Sequence, residues 1–280
     1  PDSLYRDLLP TLGERILPAL LVRLRSTAGQ EFSRHGQLVA VALARIGRKA
    51  PEQVRASAES LINEPLVELQ EAGMRVLARI PSAAALDRLW DLHKLYLRRI
   101  REQKEITDEH ATWSFLRDLS FAALRVCSQR QPQWLVQKIY AADVQHDPVW
   151  ELAYLMANLE TPAAQALWVE VKPALFAKMP LDKPRSLISC IRRFRDTTEI
   201  PRLEQWLTEK NDFACSAALS ALAVLDPDRA ITCLSDFPRG ELYFSRNWWL
   251  PELLISRRTQ LQAKLFALMQ EPEADVREIA

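Results

Sequence analysis

A short block of small and branched apolar residues recurs along this chain at a nearly fixed spacing, and that recurrence constrains the fold more than any other feature. It reads Ala42-Leu43-Ala44-Arg45-Ile46-Gly47 and then Val76-Leu77-Ala78-Arg79-Ile80-Pro81, starting 34 residues later. Further copies start at Ala123, Leu155, Cys190 and Ala221, at intervals of 47, 32, 35 and 31 residues. A turn signal and a second apolar-periodic stretch follow each copy, as in Pro81-Ser82 before residues 83–92 and Thr161-Pro162 before residues 163–171. The repeating unit is therefore helix, turn, helix. One such pair has too little core to stand alone, so neighbours must stack and bury a continuous seam. The expected fold is all-α, a right-handed α-α superhelix of about seven helix pairs filling residues 1–280 as one solenoid.

Composition supports helices. The 280 residues include only six glycines, while leucine, alanine, arginine and glutamate abound. At 48% hydrophobic and 26% charged, the chain has the make-up of a folded protein. Asp147-Pro148 and Asp226-Pro227 place a capping carboxylate before a proline at the first helical position, where its missing N–H costs nothing. Two stretches break the period. The 47-residue interval implies a lengthened helix pair around residues 98–107, and residues 236–258 fit a degenerate repeat interrupted by Phe237-Pro238-Arg239-Gly240 and Trp248-Trp249-Leu250-Pro251. The start at Pro1 rather than Met, and a final helix that opens at Asp275-Val276-Arg277 and stops at Ala280, lead us to expect a fragment of a longer protein.

The pattern resembles HEAT repeats, especially the short bacterial kind, whose second helix reads roughly Asp-x-x-Val-Arg-x-x-Ala-Ala-x-Ala-Leu-Gly. Leu116-Arg117 followed by Ser120-Phe121-Ala122-Ala123-Leu124 keeps that register, and Asp275-Val276-Arg277 restates its opening. The resemblance covers roughly residues 30–280. A tetratricopeptide array has a similar period, but its Trp/Leu/Gly/Tyr and Ala/Phe/Pro spacing does not recur.

Little in the chain points to catalysis. There is no G-x-G-x-x-G and no G-x-x-x-x-G-K, so no loop is built to cradle phosphate. His35, His93, His110 and His146 stand far apart, with no metal-ligand spacing among them or with cysteine. Asp108-Glu109-His110 follows Thr107 and reads as a helix start, where negative charge is favoured. Cys127 and Cys190 replace apolar residues of the block and read as buried thiols; no pair forms C-x-x-C. We expect no catalytic residue, metal or cofactor in these 280 residues. No apolar run, the longest including residues 16–22 and 217–225, approaches the roughly 20 residues that span a bilayer. With no signal peptide visible, the expected location is cytoplasmic, away from membranes.

Eight tryptophans are many for this length. Trp90, Trp168 and Trp206 occupy similar places in first helices and read as seam packing, whereas Trp150 falls on a second helix, projecting away from the seam. Trp248 and Trp249 cannot both be buried on one helix face, which makes them a candidate aromatic contact. Arg98, Arg99, Arg101 and Lys104 interleave with carboxylates, the mark of helical charge pairing. Arg192, Arg193 and Arg195 form a second basic run.

In the HEAT family the second helices line the concave face. Carried over residue by residue, the resemblance implies that this face presents Gln37 and Arg45, then Glu71, Arg75 and Arg79, then Asp118. Trp150, Glu151, Tyr154 and Asn158 come next, followed by Arg185, Ser189 and Arg193, and finally Phe213, Ser216 and Ser220. Mixed charge with aromatic and arginine anchors suits a protein or peptide partner, so the expected function is a protein-interaction scaffold or sensor module. The alternative is nucleic-acid binding, because Trp150 near Asp147 resembles the aromatic and Asp arrangement of HEAT-like alkylpurine DNA glycosylases. Against it, Lys plus Arg number 37 against 36 Asp plus Glu, a net charge of +1. Repeat similarity alone implies a third reading, a helper of a tetrapyrrole-attaching lyase.

Overall fold

The apolar block becomes the C-terminal turns of alternate helices. In the computed structural model, which describes residues 5, 9–28, 32–80, 82–103, 107–180, 183–208 and 212–235, thirteen α-helices follow one another and no strand occurs among the described residues. Helix makes up 81% of them. A short 3-10 stretch at Leu9–Ile16 precedes α1 (Leu17–Thr27) and α2 (Phe32–Ile46). Then come α3 (Pro51–Ile62), α4 (Val67–Leu77), α5 (Ala83–Glu102), α6 (Asp108–Ser128) and α7 (Pro132–Ala141). The remainder are α8 (Val149–Ala157), α9 (Ala164–Lys178), α10 (Arg185–Arg193), α11 (Ile200–Leu207), α12 (Asp212–Leu225) and α13 (Pro227–Ser235).

All six copies of the block fall at the ends of the even-numbered helices α2 to α12. The first residue of each copy, Ala42, Val76, Ala123, Leu155, Cys190 or Ala221, is buried, and so is the second, Leu43, Leu77, Leu124, Met156, Ile191 or Leu222. Ile46, Ile80, Cys127, Leu159 and Phe194, at the fifth position, complete the same inward stripe one turn on. Burying a leucine or isoleucine side chain stabilises by roughly 1.5–3 kcal/mol, so each copy contributes a compact patch of core.

The chain forms two units. One holds the described residues up to Gln137 together with Leu159–Thr161; the other holds Lys138–Asn158 and the described residues from Pro162 on. In the first unit α2 packs on α4 and α4 on α6, while α1, α3 and α5 each pack on the helix that follows. In the second, α10 packs on both α8 and α12, and α11 packs on α12. Within each unit, then, the even helices lie side by side in chain order, and their outward stripes are neighbours.

Local chemistry explains the helix starts. Ser82 Oγ accepts from Ala85 N at 3.1 Å, Thr107 Oγ1 from His110 N at 3.3 Å and Asp226 Oδ1 from Arg229 N at 3.1 Å, each satisfying a first-turn amide. Asp147 departs from the expected pattern. Helix α8 begins at Val149 and has no side-chain cap; the Asp147 carboxylate instead turns back to accept from Asp143 N at 2.9 Å. The Asp143 carboxylate in the same loop accepts from Gln145 N through Oδ1 and meets His146 Nδ1 through Oδ2.

The seam tryptophans are buried as their positions imply. Trp90 stacks on His93 with centroids 5.9 Å apart and meets Trp134 edge-on at 6.5 Å. Trp168 is fully buried and stacks on Phe194 at 5.6 Å, and Trp206 is buried too. Helices α5 and α6 are the longest among the described residues and pack along each other. Residues 236–258, with Trp248 and Trp249, and the terminal segment 275–280 lie outside the described residues.

Candidate functional site

Residues four apart on a helix share a face, and the face opposite the buried stripe carries the candidate residues. Glu71, Arg75 and Arg79 form such a column on α4. The corresponding column on α2 includes Gln37 and Arg45, and that on α6 is Asp118, Ala122 and Val126. In the second unit the columns are Trp150, Tyr154 and Asn158 on α8, Arg185, Ser189 and Arg193 on α10, and Ser216, Ser220 and Val224 on α12. All are exposed or half-buried except Ser220.

In the first unit the α4 column is a linked set of charges. Arg75 Nη2 pairs with Glu71 Oε1 at 2.5 Å. Arg79 Nη1 donates to the Arg75 carbonyl at 2.9 Å, and Arg130, in the turn after α6, donates through Nη1 to the Arg79 carbonyl at 3.2 Å. Burial first, then the like charges of Arg75 and Arg130, holds the Arg79 guanidinium below the ordinary arginine pKa, yet arginine remains charged. No carboxylate among the described residues pairs with Arg79 or Arg130. Asp118 is neutralised locally, its Oδ1 accepting from Arg117 Nε at 2.9 Å and Nη2 at 2.6 Å.

In the second unit the surface is aromatic and basic. Lys183 places its ammonium 3.7 Å from the Trp150 ring centroid, a cation–π contact. Tyr154 is 40% exposed, while Glu151 is half-buried beside them. Asn158 Nδ2 donates to the Tyr154 carbonyl at 2.8 Å and closes the end of α8. Arg185 and Arg193 are exposed on α10. The basic run divides: Arg193 faces outward, whereas Arg192 Nη1 donates to Ser220 Oγ at 2.8 Å. Ser220 is thereby corrected from an outward position to a buried one, because α10 packs against α12 there. The side chain of Phe213 lies outside the described residues.

Three of the four cysteines, Cys127, Cys190 and Cys215, and His93 are buried within the fold. Burial pushes the Cys127 thiol up to about 11 and the Cys190 thiol higher still, which suppresses the nucleophilic thiolate. His93 is buried with Nδ1 at 3.3 Å from both the Arg117 carbonyl and Ser120 Oγ. No group of three or more His, Cys, Asp or Glu side chains among the described residues is placed to hold a metal ion. No helix among them is long and apolar enough to cross a membrane.

Two participants are absent from the sequence reading, Arg130 and Lys183. Arg130 had a visible signal: a basic residue stands in the turn after the first copy of the block, at Arg48 and Lys49, and again after the third. Lys183 had none, since its approach to Trp150 spans 33 residues of sequence. No family model and no curated protein matches this chain.

Proposed function

We propose that this chain is a HEAT-type repeat protein, its helix pairs stacked in a right-handed superhelix, that binds a protein or peptide through the outward columns of its even-numbered helices. One observation carries the reading. The same register that buries the first two residues of every copy of the block turns arginine and aromatic side chains outward on α4, α8 and α10. Arginine, tyrosine and tryptophan are the residues that dominate binding energy at protein interfaces, and a half-buried tryptophan under an ammonium is an anchor held ready rather than a surface residue free to wander.

The test is selection from a random peptide display library on the immobilised chain. Selected peptides should bind with micromolar affinity and lose about tenfold or more on Tyr154→Ala or Arg193→Glu. Val169→Ser, on the exposed side of α9, should change little. Absence of enrichment, or binding indifferent to both column substitutions, overturns the proposal. Sub-micromolar affinity for a DNA duplex at physiological salt, weakened by Arg193→Glu, overturns it in favour of nucleic acid.

A further inference from the structure

Arg75, Arg79 and Arg130 come together where the turn after α4 meets the turn after α6. Two contacts tie the turns, the Arg130 bond to the Arg79 carbonyl at 3.2 Å and the Cys127 thiol 3.6 Å from the Ile80 carbonyl. The three guanidiniums share one carboxylate, that of Glu71, which is taken by Arg75. A local excess of two positive charges thus sits in a chain whose net charge is +1. Arg79 is half-buried, and the only bond its guanidinium makes among the described residues goes to a neutral carbonyl. Arg75 Nε is buried without a hydrogen-bond partner. Gathering like charges at a partly desolvated place is unfavourable, and an unmade bond at a buried donor adds to the cost. An anion arriving there relieves both.

We propose that Arg75, Arg79 and Arg130 form an oxyanion site that receives an acidic side chain of a polypeptide partner, either an Asp or Glu carboxylate or a phosphorylated residue. The inference rests on the partner-binding reading above and adds the chemistry of one contact. Guanidinium forks match carboxylate and phosphate oxygens in paired, charge-assisted hydrogen bonds. A single side-chain anion fits better than a nucleic-acid backbone. Glu71 and Asp118 are each paired with an arginine of their own helix, so the excess left over is local and small, matched to one or two anionic side chains rather than to a continuous row of phosphates. A net charge of +1 also supplies no long-range field to gather one.

The experiment is fluorescence anisotropy on the whole chain with three labelled probes: a peptide containing four consecutive glutamates, the same peptide with phosphoserines in their place, and a DNA duplex. At least one peptide should bind, and Arg79→Gln and Arg130→Gln should each weaken it about tenfold. Arg98→Gln, exposed on α5, should change it less than twofold. The two peptide arms tell carboxylate from phosphate. Arg79→Gln should keep or raise the thermal midpoint, because it relieves like-charge repulsion; Arg130→Gln, on an exposed turn, decides the matter if the first variant misfolds. Failure of both peptides, indifference to Arg79→Gln and Arg130→Gln, or a duplex that binds more tightly than either peptide and depends on Arg79 would each overturn the site. If display-selected peptides respond to Tyr154→Ala while the acidic probes ignore Arg79→Gln, the oxyanion site alone fails. The opposite pattern removes the α8 and α10 columns and leaves the site standing.

Discussion

Trp168, buried in α9, donates its indole N–H to Asp196 Oδ2 across 3.0 Å, and the same oxygen accepts from Lys172 Nζ at 2.8 Å. The other oxygen accepts from Thr198 Oγ1 at 2.6 Å and Thr198 N at 3.2 Å. Lys172 in turn meets Glu199 at 2.7 Å. One carboxylate therefore fastens α9 to the turn between α10 and α11. Burial pushes the Asp196 carboxyl up, but the bonds from Lys172, Thr198 and Trp168 together outweigh it and leave the pKa below the ordinary value.

A folded-state pKa below the unfolded one, about 3.9 for Asp, means that the contribution is complete above the unfolded value and disappears as pH falls through the folded one. Asp196→Asn should therefore lower unfolding free energy by about 1.5–3 kcal/mol at neutral pH. Well below pH 4 the penalty should shrink. Urea midpoints of both chains at neutral and acid pH check this, and an equal penalty at both would refute it. Lys172 sets the alkaline side. Burial lowers its pKa, but bonds to Asp196 and Glu199 raise it by more, so its contribution is present below the ordinary lysine value and lost only above it.

Gly73 lets α4 approach α3. A Cβ there would meet the Ala58 carbonyl oxygen and Ile62 Cγ1, each at 2.6 Å. The first is backbone and cannot swing away, so Gly73→Ala should destabilise by about 1–3 kcal/mol or more despite the better helix propensity of alanine. Gly47 differs, since its nearest contacts are 3.3 Å from Val54 Cγ1 and 3.4 Å from the Ala44 carbonyl and Ile80 Cγ1. Gly47→Ala should cost distinctly less. Thermal melts of the two variants side by side decide it.

Lys178, at the end of α9, donates to the carbonyls of Ile139, Tyr140 and Ala142 at 3.1, 2.6 and 2.9 Å. Its ammonium thus closes the C-terminus of α7, where carbonyls lack helical partners and a cation is favoured. Lys178→Met should cost about 1–3 kcal/mol and speed amide exchange in the last turn of α7. A loss of only a few tenths would show that water replaces the ammonium without penalty.

The thiols should separate by burial. Cys127, Cys190 and Cys215 are buried and Cys233 is half-buried. A thiol reagent applied to the native chain should modify Cys233 first and reach the other three only on unfolding, as peptide mass mapping would report. Rapid labelling of Cys127 in the native chain would contradict its place in the seam.

Much of the fold was legible because it is written locally. The apolar period depends on residues three and four apart, so the block predicts a helix end and its inward stripe wherever it recurs. Thr107 and Asp226 cap helices at positions recognisable from the next three residues. Asp147 looked the same, yet its carboxylate accepts from the Asp143 amide, four residues back in the loop before α8. Ser220 looked outward by register and is buried, because Arg192 reaches it from a neighbouring helix.

The sequence by itself determined that the chain is helical and where the inward stripe of each even-numbered helix recurs, because period and turns are short-range properties. The tertiary structure alone decided which charges meet. Arg130 reaches the Arg79 carbonyl across 51 residues, and Trp168 reaches Asp196 across 28. No period predicts such pairs, since they depend on how far apart the packed helices set their turns, and that distance is fixed by side chains on different helices, remote from one another in sequence.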